Sequence, residues 1–379
     1  MKYIPLVQVC DFQGGSQPPK DQWIDHEKEG YIRMLQIRDF TQPDKDNVEF
    51  VRISKTIKTC NEDDILIGRY GASVGKILTG LAGAYNVAII KTIPDTSKLS
   101  KRFLYHYLNS PYFQNFILSV GSRAAQAGFN KDDLSDAQIP DLSLEEQSNV
   151  VLQLDKVCEL IALRKEQLAK LDQLVKSRFI ELFGDIANGP KYSSVPLGTI
   201  CSTLSGGTPT TRFPEYYQGD IPWISTPYLG NNHINGSSAK AYITEAAIKN
   251  SATHLIPANT IMFGIRVGVG KSSIIDEPMC ANQDIVALMD IDTSKYNLLF
   301  IKHVLDGYQS HFDSIKKGAT ILGVTTDDLK KVMIPMVGIE LQNLFAAFVE
   351  QTDKSKLAIQ QSLEKLETLK KSLMQECFG

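Results

Sequence analysis

One stretch of this chain occurs twice, and the duplication constrains the fold more than any other feature. The first copy opens Ile139-Pro140-Asp141-Leu142-Ser143-Leu144-Glu145-Glu146-Gln147, continues as a long helical pattern and closes on Phe183-Gly184. The frame returns without a gap at a constant offset of 195. Ile139-Pro140 becomes Ile334-Pro335, Gln147 becomes Gln342, Lys176-Ser177 becomes Lys371-Ser372, and Phe183-Gly184 becomes Phe378-Gly379. An internal repeat of this kind is read before anything else. It divides the sequence into two near-equal units, each a globular part followed by a long helix.

The helical pattern carries its own geometry. Leu154, Val157, Ile161, Leu168, Leu171 and Val175 fall on an alternating three-four spacing, and Val349, Ile359, Leu363, Leu366 and Leu373 lie on the same spacing in the second copy. This is the seam of a coiled coil. A helix of about 40 residues is about 60 Å long, too long for one small core. The pattern therefore predicts that the two helices pack on each other, antiparallel, seam to seam.

The globular parts read differently. In the first, short β-type runs at 31–37, 48–53, 64–68, 74–78 and 85–91 are separated by Gly, Asp, Asn and Pro signals, as in a small mixed or antiparallel sheet. An amphipathic helix at 100–120 follows, kinked or broken at Pro111. The second part keeps the order with weak identity: Gly206-Gly207-Thr208-Pro209 answers Gly14-Gly15-Ser16-Gln17, Val269-Gly270-Lys271 answers Val74-Gly75-Lys76, and Gly323 answers Gly128. The fold class is α+β: two small mixed α/β domains at 1–140 and 186–335, and two long helices at 141–185 and 336–379 packed as an antiparallel coiled coil, with pseudo-twofold symmetry.

Composition narrows the function. The 379 residues are 43% hydrophobic and 22% charged, the balance of a soluble globular protein. No apolar run approaches a membrane span, and the opening Met1-Lys2-Tyr3-Ile4-Pro5 meets polar residues too early for a secretory signal, so a cytoplasmic location is expected. The net charge of −3 argues against indiscriminate coating of nucleic acid, but it is compatible with a local basic patch on a specific reader. Six scattered cysteines show no CxxC and no metal-ligand cluster, which predicts reduced thiols and no metal.

Several apparent catalytic signals fail on inspection. The P-loop look-alike at Gly264-Ile265-Arg266-Val267-Gly268-Val269-Gly270-Lys271-Ser272 has Ile265 where the Walker spacing needs glycine, and a strand pattern follows it instead of a helix. The six histidines form no HxH, HExxH or HxxxH. Pro94-Asp95 and Pro140-Asp141 lack a nuclease-type Glu-x-Lys partner. There is no GxSxG, no dinucleotide fingerprint and no methyltransferase Asn-Pro-Pro-aromatic motif. No catalytic residue is assigned.

Two diverged globular parts alternating with two similar long helices resemble the specificity (S) subunit of Type I restriction–modification systems. The resemblance covers the whole chain. Its marks are Pro196-Leu197-Gly198, Ser205-Gly206-Gly207-Thr208-Pro209, Gly219-Asp220-Ile221-Pro222-Trp223-Ile224-Ser225, Gly268-Val269-Gly270-Lys271, Asn282-Gln283-Asp284-Ile285, and Ile139-Pro140 with Glu145-Glu146-Gln147 before the first helix. The first copy departs at Gln17-Pro18, Arg33-Met34 and Tyr85-Asn86-Val87. The resemblance implies two target-recognition domains on double-stranded DNA, each reading half of an asymmetric bipartite sequence, with the helices as spacer. It implies two modification subunits that bring S-adenosylmethionine and methylate adenine, and in some systems restriction subunits that use ATP and Mg. This chain would hold no cofactor and perform no chemistry.

A sequence reader needs Arg and Lys for guanine and Asn or Gln for adenine, on loops, together with phosphate contacts from Lys, Arg, Ser and Thr. The candidates are Ser16, Gln17, Lys20, Arg33, Gln36, Arg38, Arg69, Tyr70, Ser73, Lys76, Arg123, Gln126 and Lys131 in the first domain. In the second they are Thr208, Thr210, Arg212, Tyr216, Ser225, Thr226, Arg266, Lys271, Lys316, Lys317 and Thr320. Each is otherwise an ordinary solvated loop residue; the glycine-flanked groups are the stronger ones. Two competing classes remain: a single-chain nuclease, which would cut DNA alone with magnesium, and a duplicated coiled-coil scaffold that binds protein and has no DNA preference.

Overall fold

The computed structural model describes residues 2–42, 48–121, 128–186, 189–318 and 322–379. The chain forms two compact units, one of residues 1–166 with 360–379 and the other of 167–359. Each therefore holds one globular part and half of each long helix.

In the first unit an antiparallel four-stranded sheet runs in the order Cys10–Gly14, Ile89–Pro94, Leu66–Gly68, Ile77–Leu78. A five-stranded mixed sheet runs Trp23–Ile24, Phe50–Arg52, Tyr31–Leu35, Gly83–Tyr85, Thr59–Cys60. Its one parallel pairing sets Met34 against Ala84. The apolar run at 74–78 becomes a strand only from Ile77, because Gly75 at φ +78° turns the chain before it. The pattern at 100–120 divides into two helices, Lys101–Leu108 and Pro111–Gly121. Ser100 caps the first by accepting from the Phe103 N–H, and Pro111, which has no N–H to offer, starts the second.

The second unit keeps the two-sheet arrangement with different strand counts. Its five-stranded sheet runs Ser202–Ser205, Ile285–Met289, Thr260–Gly264, Ser272–Ile275, His233–Ile234. Ala241–Ile243, Ile221–Ile224 and Cys280–Ala281 form a three-stranded sheet, again with one parallel pairing, Trp223 against Cys280. In both units a short strand before the globular part pairs antiparallel with one just before the long helix: Tyr3–Pro5 with Gln138–Pro140, and Ser194–Pro196 with Met333–Pro335.

The long helices are Leu144–Phe183 and Ile339–Phe378. Within the first unit Leu154 shares a buried core with Met374 and Phe378, and Lys165 pairs with Glu367 at 3.0 Å. Numbers rise along one helix as they fall along the other, so the packing is antiparallel. The second unit shows the same sense: Phe179 and Phe183 lie 5.3 and 5.5 Å from Phe345, and Lys356 pairs with Asp172 at 2.6 Å. Of the seam positions, Leu154, Val157, Val175, Val349 and Leu363 are buried. Ile161, Leu168, Leu171, Ile359, Leu366 and Leu373 are half-buried.

The repeated glutamine has a structural role. Gln147 is buried; its Oε1 accepts from the Ser100 N–H (2.9 Å) and its Nε2 donates to the Lys98 and Leu142 carbonyls. Gln342, also buried, accepts from the Asn297 N–H (2.8 Å) and donates to the Lys295 and Val337 carbonyls. Each side-chain amide thus ties the first turn of a long helix to the start of a helix in the preceding globular part. The helices close on aromatic residues that the three-four spacing did not include. Phe183 sits among Phe179, Phe300 and Phe345, and Phe378 against Phe103 and Tyr107. No helix among the described residues is long and apolar enough to cross a membrane.

Candidate nucleic-acid interface

Each unit gathers several loops at one place, and equivalent backbone bonds do so in both. A hairpin turn, 68–76 in the first unit and 264–271 in the second, joins two antiparallel strands. Its closing bonds run from the Gly68 N–H to the Lys76 carbonyl (2.9 Å) and from the Gly264 N–H to the Lys271 carbonyl (2.8 Å). A second loop abuts it: Arg69 N–H donates to the Ala88 carbonyl, and Ile265 N–H to the Asp284 carbonyl. A third is joined through the bridges Tyr70 to Gly128 and Arg266 to Gly323. The glycine turns complete the cluster: a Cβ on Gly15 would lie 2.0 Å from the Asn86 carbonyl oxygen, and one on Gly206 2.2 Å from that of Asn282. These glycines shape the loop junction and present no side chain.

On this shared frame the side chains differ. In the first unit Arg69 is spent locally, donating to the Phe129 and Val87 carbonyls and lying 5.1 Å from the Tyr70 ring. Tyr70 and Lys76 are exposed, and Ser73 is half-buried between them. Arg33 pairs with Asp39 at 3.2 Å, and Arg38 and Gln36 both bond Glu49. Lys131 pairs with Asp11. Ser16 accepts from the Lys58 N–H, while Gln17 and Lys20 are exposed.

In the second unit Arg266, Lys271, Lys317 and Arg212 are exposed and form no ion pair at bonding distance among the described residues, although the charge of Lys317 helps lower the Asp328 carboxyl. Lys316 pairs with Asp313. Thr210 is exposed, and Tyr216 packs half-buried beside Trp223. An open groove of about 460 Å³ is lined by Arg266, Gln283, Asp284, Lys317, Val324 and Asp328. Gln283, which the sequence reading left out of the contact set, is exposed there and accepts from the Thr208 hydroxyl. Its signal lay in the Asn282-Gln283-Asp284 motif. Arg123, Gln126 and Thr320 lie outside the described residues.

Two candidates are corrected. Ser225 is buried and Thr226 fully so. The Thr226 methyl sits beneath the hairpin turn, 2.4 Å from where a Cβ on Gly264 would be. A polar pair after a strand reads as surface in the sequence, but here it supports the turn from below.

Several of the remaining reactive groups are buried. Burial pushes the Cys10 thiol up to about 12 and those of Cys201 and Cys280 to about 11, so these are not thiolates at neutral pH. The pattern at 272–275 is a strand, so no helix N-terminus follows Lys271 to hold phosphate. His106 is buried and bonds Asp155 at 2.7 Å; burial lowers its pKa against that bond. His303 is lowered to about 4 by burial, and its Nε2 has no hydrogen-bond partner among the described residues. No group of three or more His, Cys, Asp or Glu suited to a metal occurs among the described residues.

The model of a family described as Type I restriction modification DNA specificity domain matches residues 1–173 and 191–370. Over 226 residues, 56% of this chain, the sequence is 30% identical to the Type I restriction enzyme EcoR124I/EcoR124II specificity subunit of Escherichia coli. That match spans 53%, about half, of the relative's length. Two solved structures cover all of this chain. One, from work on complex assembly and conformational transition of the type I R-M system, has a TM-score of 0.61 at 16% identity and is covered over 97%. The other, the Type-I restriction-modification system S subunit from M. genitalium, has a TM-score of 0.59 at 14% identity and is covered over 96%. At these identities the two structures establish the fold.

Proposed function

The chain belongs to the Type I restriction–modification DNA specificity family, and on that premise we propose that it is the DNA-recognition subunit of a Type I complex, in which each globular part reads one half of an asymmetric bipartite target. The observation that carries this reading is the twice-built loop cluster. Equivalent backbone bonds hold Arg69-Tyr70-Gly71 in one unit and Ile265-Arg266-Val267 in the other. Two readers of different half-sites need one frame with different side chains on it.

The roles follow from chemistry. Arg266, exposed and with no ion pair among the described residues, is suited to bidentate bonding with the O6 and N7 of guanine, and Gln283 to the N6 and N7 of adenine. Lys271, Lys317, Lys76 and Lys20 are suited to phosphate. Arg33 and Arg38, already neutralised by Asp39 and Glu49, contribute less. The long helices act as spacer and as the docking site for two modification subunits, which bring S-adenosylmethionine and methylate adenine. Restriction subunits using ATP and Mg join in systems that also cut. The chain itself binds and positions without chemistry, in the cytoplasm beside the chromosome.

The test is quantitative binding by the full chain in complex with its modification subunit. That complex should prefer one bipartite duplex over bulk DNA by about a thousandfold or more. Equal affinity for all duplexes would leave a protein scaffold as the better description, and magnesium-dependent cutting by the chain alone would make it a nuclease.

A further inference from the structure

The two hairpin turns share their closing bonds and their bridge to the companion segment, although the second is one residue shorter. Tyr70 and Arg266 are equivalent, each bridged to the glycine of its companion segment, Gly128 or Gly323. The next residue lies in the left-handed region in both: Gly71 at φ +57° and Val267 at φ +47°. Glycine adopts that conformation freely, whereas a β-branched side chain is among the least suited to it. The other non-glycine residues at positive φ among those described are Asn259 and Asp290, of the short polar kind that tolerates it. Packing does not account for the valine, because Val267 is 51% exposed. The position faces open space in the twin turn too, since a Cβ on Gly71 would meet nothing within 4 Å. The residue before Val267 is the exposed Arg266, which lines the groove together with Gln283 and Lys317.

A strained, exposed apolar residue at the tip of a recognition loop points to a contact made only in the complex. We propose that Val267 is a specificity-determining residue that sets its methyl groups against the C5-methyl of a thymine in the major groove, in the base step next to the one Arg266 reads. The inference rests on the DNA-reading function proposed above. Thymine is the base recognised through an apolar group, and a β-branched side chain offers its methyls with little rotamer freedom to lose. Gly71 provides no such group, so the half-site read by the first unit lacks this contact.

The experiment uses the full chain with its modification subunit and duplexes carrying its target, with each thymine replaced in turn by deoxyuridine, which removes only the methyl. Wild type should lose about three- to tenfold in affinity at one thymine of the half-site read by the second unit. Val267→Gly should bind the thymine and deoxyuridine duplexes equally, at the weaker level, while its thermal midpoint is unchanged or raised by a few degrees. Val267→Thr, which keeps one methyl, should fall between. The proposal is overturned if no thymine responds in wild type, if Val267→Gly keeps the full deoxyuridine penalty, or if that variant unfolds several degrees earlier, as a packing residue would. All three leave DNA reading intact. A wild-type complex with no sequence preference overturns the functional reading itself, and this inference with it.

Discussion

Among single residues, His303 makes the sharpest statement about stability. Its imidazole is held neutral, with a pKa of about 4, chiefly by burial against Phe345. Asp306 and Asp353 pull the value up, while Lys302 and Lys356 push it further down. A histidine whose folded pKa lies below its unfolded value of about 6.5 is neutral in both states above pH 6.5, so stability there is full. As pH falls from 6.5 toward 4 the unfolded chain takes up the proton first, and stability drops by roughly 3 kcal/mol over that window. His303→Phe should flatten the denaturant midpoint between pH 6.5 and 4; an unchanged slope would mean that other groups set it. On the recognition loops, Lys271→Ala should weaken binding to all duplexes alike and lower the salt slope by about one. Arg266→Ala should instead cost about 1–3 kcal/mol at one base pair only, measured by titration against single-base variants of the target.

At the scale of elements, the fold rests on joints between each globular part and its long helix. Replacing Gln342 with leucine would strand the buried N–H of Asn297 and the carbonyls of Lys295 and Val337. The expected loss is about 1–3 kcal/mol, read as a lower thermal midpoint with faster amide exchange at the start of the Leu298–Gly307 helix. The glutamine was visible in the sequence only as a matched letter at 147 and 342. Its bonding was not, because two of the three backbone groups each glutamine meets lie more than 40 residues earlier. The three-four spacing of the helices was legible because such a spacing has few other uses. The aromatic closures at Phe183 and Phe378 escaped it, since they pack on the globular parts and not along the seam. The loop candidates fared by local chemistry. Arg266 and Lys271 stand exposed, Arg38 is neutralised by a glutamate 11 residues away, and Thr226 is buried because its methyl fits under a glycine turn. None of these outcomes is written in residue type. The strain at Val267 is likewise invisible without the backbone.

For the whole molecule, the proposed function makes the duplicated helix the spacer between two DNA-reading units. Inserting one heptad into both long helices adds about 10 Å to each, so the spacer should lengthen by up to about three base pairs while both half-sites stay the same; methylation of a library of spacer lengths would reveal it. The central claim is that each unit reads its own half. It is tested most directly by mapping N6-methyladenine across the genome of a host carrying this chain with its modification subunit, as wild type and as Arg266→Ala. Wild type should give one asymmetric bipartite sequence, and the variant the same sequence relaxed in one half only. Methylated adenines scattered without a motif, or a variant motif altered in both halves, would contradict the account.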